Sequence, residues 1–256
     1  MGAKTDLDGR ALSDYSANTI GVQNLIAAIE GLKSLQRIVF ASSRLVCRIG
    51  YQPSSDQDYC PTTPYGESKV VGEQIVRDAA HRIPCSWVIV RPTSIWGPWF
   101  DVPYKTFFLA IAKGRYVHPG RAEIFKSFGF VGNTVYELQR LLEAPAESVS
   151  EKTFYLADYP PIDVASMANS IQHELGVAPI RTLGVAVLRG AAWMGDVLKL
   201  LGWRHPPLTT FRLNNLLTPM VHDLEPLRRI VGELPYSMEE GVRLTAGWLK
   251  SHGEFS

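Results

Sequence analysis

Hydrophobic positions along the first hundred residues alternate between helical and strand patterns. Residues 12–30 place apolar side chains at helical spacing, and Gly31 follows as a stop signal. Residues 36–42 form a short apolar run that ends in small polar residues, which is typical of a buried parallel strand. Residues 86–91 form a second such run, which Pro92 ends.

A helix is predicted between these two strands. The segment 50–64 is rich in Pro, Asp and Ser and predicts a loop, and a helical pattern then runs over residues 65–80. Thr63 stands where a helix cap belongs, and Pro64 suits the first turn. Helix and strand in alternation at this spacing indicate βαβ units and therefore a parallel sheet of the α/β class.

The pattern changes after Gly97. Residues 98–130 carry dispersed aromatic, glycine and basic residues, which predicts a less regular lobe. Regular signals then return: the sequence predicts a helix over 132–144, a strand over 153–156, a helix over 163–176 and a last helix that Ser237 and Glu240 begin as a capping box.

Charge and cysteine content exclude several classes of function. The formal net charge is +1, which argues against general attraction to nucleic acid or to a membrane surface. The three cysteines have no C-x-x-C spacing and the six histidines have no ligand spacing, so neither a disulfide framework nor a metal site is predicted. These features favour reduced thiols in a cytoplasmic protein.

The most apolar stretch of the chain covers residues 183–201. Arg189, Asp196 and Lys199 interrupt it, so it is too polar to span a bilayer. It predicts a buried or interfacial helix. The first residues contain no apolar segment of the kind found in a secretory signal.

Tyr65 and Lys69 are the sharpest chemical feature. A spacing of four residues puts the phenol and the ammonium on one face of the predicted helix. A nearby ammonium favours the phenolate, which could then transfer protons near neutral pH. Composition alone gives about 0.35 chance occurrences of Tyr-x-x-x-Lys, so an ordinary pair on a helix surface is the alternative.

The sequence context of this pair resembles a known family. A predicted strand ends in Ser42-Ser43 upstream of Pro64-Tyr-Gly-Glu-Ser-Lys69, and Arg91-Pro-Thr-Ser-Ile-Trp-Gly-Pro98 follows downstream. Asn18-Thr-Ile-Gly-Val-Gln-Asn-Leu25 is similar to a further family helix. Together these segments resemble the extended short-chain dehydrogenase/reductases, in their NAD-dependent epimerase/dehydratase branch.

The resemblance implies a Rossmann-like doubly wound parallel sheet with a smaller C-terminal lobe. Residues 1–97 would be the remaining part of the NAD-binding domain. Residues 98–256 would be mainly the substrate-binding lobe, with some segments returning to the sheet. It also implies an NAD cofactor, with NADP as the alternative, a nucleotide-sugar substrate and a possible homodimer, whereas no nucleic-acid or membrane partner is expected.

The site residues follow from the resemblance by position. Tyr65 would be the acid/base, Lys69 would bind the nicotinamide ribose and tune Tyr65, and Ser43 would hydrogen-bond the reacting oxygen. The other implied contacts are Gly2, Ala3, Asn18, Ser42 and Thr93 to the cofactor, and Ser94 and Lys126 to the substrate.

The implied function is NAD-dependent epimerisation of a nucleotide sugar. Dehydratases of this family usually carry an acidic residue or pair after the hydroxyl residue, where this chain has Arg44 and Leu45. A ketoreductase or dehydratase of the same family, or an inactive truncated relative acting as a binding module, are the alternatives. Lys126 stands where the family has an arginine that grips a diphosphate, and a lysine there lacks the bidentate fork.

A pyrophosphate-binding glycine motif is absent from the sequence. None of the 21 glycines forms G-x-G-x-x-G or G-x-x-G-x-x-G, although a Rossmann site uses such a turn to bring backbone amides to the cofactor. We therefore expect the first βαβ units of the fold to be missing, and NAD binding by residues 1–256 to be weak.

Overall fold

A computed structural model describes residues 3–100, 103–203, 206 and 208–254. Gly2, which was expected to lie near the cofactor, is outside the described residues. The chain divides into two compact units. The first unit is built from Met1–Ile95, Asn133–Asp158 and His222–Pro235. The second is built from Trp96–Gly132, Tyr159–Val221 and Tyr236–Ser256.

The strands are, in chain order, β1 (Arg37–Ala41), β2 (Ser86–Pro92), β3 (Ser94–Trp96), β4 (His118–Pro119), β5 (Phe125–Lys126), β6 (Phe128–Phe130), β7 (Lys152–Leu156), β8 (Ile162–Asp163) and β9 (Thr182–Leu183).

The helices are, in chain order, α1 (Ser16–Ile29), α2 (Pro64–Asp78), α3 (Tyr104–Ala112), α4 (Val131–Glu143), α5 (Ala146–Val149), α6 (Val164–Leu175), α7 (Val185–Leu200), α8 (Thr210–Leu217), α9 (Glu225–Val231) and α10 (Met238–Ser251).

A parallel sheet in the order β1-β2-β7 forms the centre of the first unit. Phe40 pairs with Ile89, and Val90 pairs with Phe154. Because the strands are parallel, the ends at Ala41, Pro92 and Leu156 meet at one edge of the sheet. This edge is where doubly wound folds bind their ligands.

Helices cover both faces of this sheet. On one face, α1 and α2 pack on it, and the buried cluster there is Ile26, Ile29, Phe40, Val76, Ala79, Ile83, Trp87 and Ile89. On the other face, α4 and α9 pack on it, with the cluster Val88, Val90, Leu141, Val149, Phe154, Leu156, Leu227 and Val231. Successive β2 residues alternate between the two clusters, as the pleat requires. The predicted doubly wound α/β fold is confirmed.

The second unit has a core rich in aromatic side chains. Trp96, Phe108, Phe128 and Phe130 are buried with aliphatic residues from α6 and α10. Two short strand pairs, β4 with β9 and β5 with β8, lie within this unit. No helix in the described part of the chain is long and apolar enough to cross a membrane.

Most element boundaries agree with the sequence pattern. Thr63 caps α2 by accepting a hydrogen bond from the Gly66 N–H, and Ser237 and Glu240 form the predicted capping box of α10. Asp163 caps α6, which ends at Gly176 in a left-handed conformation with φ of 65°. The segment predicted as a less regular lobe also contains a helix, α3.

Glu137 on α4 is a carboxyl group inside the first unit. Its side chain is fully buried. Burial, with the charge of Asp158, raises the pKa of Glu137 well above its ordinary value, and a hydrogen bond from the Ala157 backbone acts against this shift. Asp158 itself accepts a hydrogen bond from the Asn133 side chain at 2.8 Å. Burial therefore favours the protonated, uncharged form of Glu137.

The packing of α7 predicts opposite effects for two of its glycines. A Cβ on Gly195 would lie 1.9 Å from the backbone oxygen of Leu208, whereas a Cβ on Gly190 would meet nothing within 4 Å. We expect Gly195→Ala to lower the free energy of unfolding by about 1–3 kcal/mol, because the two backbone segments must separate. Gly190→Ala is the matched control and should raise it by up to about 1 kcal/mol. Denaturant unfolding checks both, and equal effects would contradict this packing.

Candidate active site

The end of β1 positions two serines. The Ser42 N–H donates a hydrogen bond to the Val90 carbonyl at 2.8 Å, so strand geometry continues to that residue. Ser43 then caps a short turn, because its hydroxyl accepts a hydrogen bond from the Leu45 N–H at 3.1 Å. Both serines are buried at the carboxyl edge of the sheet.

The first two turns of α2 carry the tyrosine and the lysine. The Thr63 cap and Pro64 fix where the helix begins. Tyr65, Lys69 and Glu73 follow at intervals of four residues, so they share one face. All three side chains are buried.

Tyr65 lies between Tyr15 and Ser43. The rings of Tyr65 and Tyr15 meet edge to face with their centroids 5.8 Å apart. Burial raises the pKa of the Tyr65 phenol above its ordinary value, and a hydrogen bond with the Ser43 side chain acts in the opposite direction. The structure thus brings the predicted hydroxyl residue and the predicted acid/base close together.

Lys69 joins this group through its ammonium. Its Nζ donates a hydrogen bond to the Ala41 carbonyl at 3.0 Å and lies 5.8 Å from the centroid of the Tyr65 ring. Burial lowers the pKa of Lys69, while the charge of Glu73 acts against that shift. The net rise in the Tyr65 pKa is opposite in direction to the change that a lysine neighbour was expected to cause, because burial of the phenol is the largest influence on it.

Sequence reasoning missed the ion pair beneath these residues. Glu73 and Arg91 are 2% and 1% exposed. Oε1 of Glu73 accepts hydrogen bonds from the Ser42 hydroxyl at 2.5 Å and from Arg91 Nε at 2.8 Å. Its Oε2 accepts from another Arg91 nitrogen at 2.8 Å and from the Tyr59 hydroxyl at 3.0 Å. The signal was present, since Glu73 continues the four-residue series of Tyr65 and Lys69.

Arg91 links this pair to β7. It donates to the Tyr155 hydroxyl at 3.1 Å, and the Tyr155 ring stacks on His222 with centroids 4.1 Å apart. Burial alone would lower the pKa of Arg91, but its hydrogen bond and charge interaction with Glu73 raise it. Burial and the charges of Arg44 and Arg91 lower the pKa of His222 to about 4. His222 is therefore neutral at neutral pH.

A cavity of about 500 Å³ opens between α1, α2 and the end of β1. Four of the predicted cofactor residues line it: Ala3, Asn18, Ser42 and Lys69. Three small residues on the two helices, Ala17, Gly21 and Gly72, also line it, beside larger apolar side chains such as Leu25 and Phe40. Ser43, Tyr65 and Thr93 are not part of the lining.

The contacts of Asn18 are structural. Its Oδ1 accepts a hydrogen bond from the Lys4 N–H at 3.1 Å, and its Nδ2 donates to the Lys4 carbonyl at 2.9 Å and to the Ser68 hydroxyl at 3.0 Å. Asn18 thus ties the segment before α1 to α2. Gly72 allows this close approach, because a Cβ there would lie 2.9 Å from the Asn18 carbonyl oxygen.

The structure also defines the surroundings of three further predicted residues. Thr93 donates through its hydroxyl and its N–H to the Leu156 carbonyl, at 2.8 Å and 3.1 Å. Ser94 is buried at the start of β3. Lys126 belongs to the second unit, where its Nζ donates to the Asn215 carbonyl at 2.6 Å.

A sequence profile of the NAD dependent epimerase/dehydratase family matches residues 8–152. The 2-alkyl-3-oxoalkanoate reductase of Stenotrophomonas maltophilia is 28% identical over 94% of this chain and 77% of its own length. The N-acetyl-alpha-D-glucosaminyl-diphospho-ditrans,octacis-undecaprenol 4-epimerase of Escherichia coli O157:H7 is 23% identical over 90% of this chain and 70% of its own length.

Solved structures share the fold. The UDP-glucuronic acid 4-epimerase of Bacillus cereus, in complex with UDP-glucuronic acid and NAD, superposes with a TM-score of 0.71 at 14% sequence identity. The match covers 98% of this chain and 74% of that chain. At this identity the likeness concerns the fold alone.

The buried ion pair predicts that removing the charge of one partner destabilises the fold. Glu73→Gln keeps the shape of the side chain but leaves the Arg91 guanidinium without its counter-charge, so we expect a loss of about 3–5 kcal/mol in the free energy of unfolding. Glu67→Gln, on an exposed position of the same helix, should cost at most about 1 kcal/mol. Urea unfolding measures both. Equal stabilities of the two variants would show that the ion pair does not support the fold.

Proposed function

The chain belongs to the NAD-dependent epimerase/dehydratase family, and from this premise we propose that Tyr65, Lys69 and Ser43 catalyse hydride exchange at a carbinol carbon with a nicotinamide cofactor. The observation that supports the proposal is the packing of the Tyr65 phenol against Ser43, with the Lys69 ammonium beside the ring. A phenol, a hydroxyl and an ammonium at one strand end suit proton transfer to or from an oxygen atom.

Each of the three residues has a distinct proposed role. Tyr65 gives a proton to the substrate oxygen when a carbonyl is reduced and takes it back when a carbinol is oxidised. Ser43 holds that oxygen by a hydrogen bond. Lys69, fixed by the Ala41 carbonyl, supplies positive charge that favours the phenolate at the moment of proton removal.

The residues around the cavity at the end of β1 fit the nicotinamide half of the cofactor. Lys69 has further N–H groups to donate beyond its bond to Ala41, and Ala3, Ala17, Gly21 and Gly72 leave room for a flat ring and a ribose. Nicotinamide, when bound, accepts or returns the hydride. We propose NAD, with NADP as the alternative.

Epimerisation of a nucleotide sugar is the first form that we propose for this chemistry. An epimerase needs only the acid/base set, because the hydride removed from the carbinol returns to the same carbon. The relative from Escherichia coli O157:H7 is named as a 4-epimerase, which supports this form. Arg44 and Leu45 disfavour dehydration, since neither can act as the additional acid or base.

Reduction of a ketone is the second form, and Lys126 favours it. The lysine expected to grip a diphosphate is buried and donates to the Asn215 carbonyl instead. A ketone without a diphosphate needs no such grip. The relative from Stenotrophomonas maltophilia is named as a reductase, which also supports this form.

We propose that the two units have different roles, one in catalysis and cofactor binding and the other in substrate binding. The first unit carries Tyr65, Lys69 and Ser43 together with the cofactor cavity, and the second unit contributes to substrate binding. This assignment keeps the predicted division near residue 97. It adds α4, β7 and α9 to the catalytic unit.

Tyr65→Phe tests the acid/base assignment. The change removes one hydroxyl and should lower turnover at least about a hundredfold, the usual scale for a general acid/base. Tyr51→Phe is the control, because the Tyr51 hydroxyl bonds Asp58 and contributes nothing to the Tyr65 group. Turnover is measured with saturating nicotinamide cofactor, and circular dichroism verifies the fold. A Tyr65→Phe enzyme as active as the control would refute the assignment.

Net consumption of reduced nicotinamide distinguishes epimerisation from ketone reduction. An epimerase should interconvert sugar-nucleotide isomers with no net change in the absorbance of reduced nicotinamide. A reductase should consume reduced nicotinamide in proportion to the ketone supplied. Product analysis by nuclear magnetic resonance, run beside the absorbance trace, identifies the form. Stoichiometric consumption would exclude epimerisation as the main reaction.

A further inference from the structure

Helix α7 exposes large apolar side chains. Val187, Trp193 and Met194 are 62%, 63% and 53% exposed, and Leu200 and Leu201 at its end are 87% and 78% exposed. These five residues are called the α7 surface below. A folded domain rarely leaves such a continuous apolar set in water without a function for it.

Helix α7 buries a narrow stripe and exposes a wide apolar arc. Its buried stripe is narrow and consists of Leu188, Ala192 and Gly195, which face α8 and the Leu208 segment within the second unit. Successive residues of a helix are about 100° apart around its axis. By this spacing, all five residues of the α7 surface fall within an arc of about 180° on the side opposite the buried stripe. The other members of that arc are Ala186, Gly190 and Ala191, which are exposed, and Val197 and Leu198, which are half-buried.

No charged residue falls in that arc. Arg189, Asp196 and Lys199 lie at its border or on the side of the buried stripe. The arc also contains no hydroxyl or amide side chain. A partner protein surface usually requires about one hydrogen bond per 100–200 Å², which this arc offers only through the indole of Trp193. It is better suited to hydrocarbon.

Basic charge is concentrated around the same helix. Residues 181–212 contain five Arg or Lys and one acidic residue, which leaves 21 of the 26 basic and 24 of the 25 acidic residues elsewhere. The one acidic residue, Asp196, accepts hydrogen bonds from the Thr210 N–H at 3.3 Å through both carboxylate oxygens. The near-zero net charge of the chain therefore conceals a local basic excess.

We propose that the α7 surface docks onto an anionic lipid bilayer, with α7 lying in the plane of the headgroup boundary. The apolar arc enters the acyl region, and Arg189 at its border reaches back to phosphate groups. Trp203 and Phe211, at 51% and 72% exposed, are further large apolar side chains that the same unit exposes. The inference is independent of the proposed reaction and revises the expectation that no membrane partner exists.

Vesicle flotation of the full chain tests the proposal. The probes are phosphatidylcholine vesicles and vesicles in which about 30% of the lipid is phosphatidylglycerol. We expect the protein to float with the anionic vesicles, and high salt should weaken this binding. Trp193→Glu combined with Met194→Glu should lower the partition coefficient at least about tenfold, since two apolar side chains leave the acyl boundary.

A matched control separates docking from a general effect of added charge. Val135→Glu combined with Leu142→Glu changes two side chains on α4 that are 59% and 51% exposed, and it should leave vesicle binding unchanged. Three results would overturn the proposal: wild-type protein that stays with the lipid-free fraction, equal loss of binding in the control, or equal binding to both kinds of vesicle. Loss of a dimer in the α7 variant, with no vesicle binding by wild type, would identify a protein interface instead.

Discussion

The buried ion pair between Glu73 and Arg91 is the interaction on which the candidate site depends. Two opposite charges are removed from water together. Glu73 accepts further hydrogen bonds from the Ser42 and Tyr59 hydroxyls, and Arg91 donates one to the Tyr155 hydroxyl. Such a pair costs desolvation energy and fixes geometry, because neither partner can be moved without exposing the other to an apolar interior. Helix α2 is thereby held to strand β2.

This attachment sets the position of the catalytic candidates. Glu73 is two helical turns beyond Tyr65, on the same face, so a rotation of α2 about its axis would move both. The Ser42 hydroxyl binds the same carboxylate, and the adjacent Ser43 caps the next turn. One ion pair therefore aligns the helix that carries Tyr65 and Lys69 with the strand end that carries Ser43.

The sequence was sufficient for the parts of the site that have local signatures. A four-residue spacing predicted that Tyr65 and Lys69 share a face, and a run of β-forming residues predicted that the serines end a strand. It was not sufficient for Glu73, Arg91 and Glu137. A glutamate on a helix is usually solvated, and its burial depends on a residue from a distant strand or on a neighbour such as Asp158.

Tertiary packing also decided two features that the pattern left open. An apolar stretch at 183–201 predicted a buried or interfacial helix, but the pattern could not tell which face the rest of the unit would cover. Within α7, the buried residues are the narrow stripe of Leu188, Ala192 and Gly195. Lys126 was a candidate anion ligand by position, and its partner turned out to be the carbonyl of Asn215, 89 residues away.

The raised pKa of Tyr65 has a consequence for the direction of chemistry. A buried phenol with Ser43 beside it keeps its proton at neutral pH, so the resting site holds an acid. In the proposed reaction, a protonated phenol suits reduction, in which the oxygen of the substrate must gain a proton. Oxidation requires that the phenol first lose its own proton. In that reaction, the same phenol becomes a proton acceptor only once it has lost this proton, and its raised pKa moves that loss to more alkaline pH than for an exposed tyrosine.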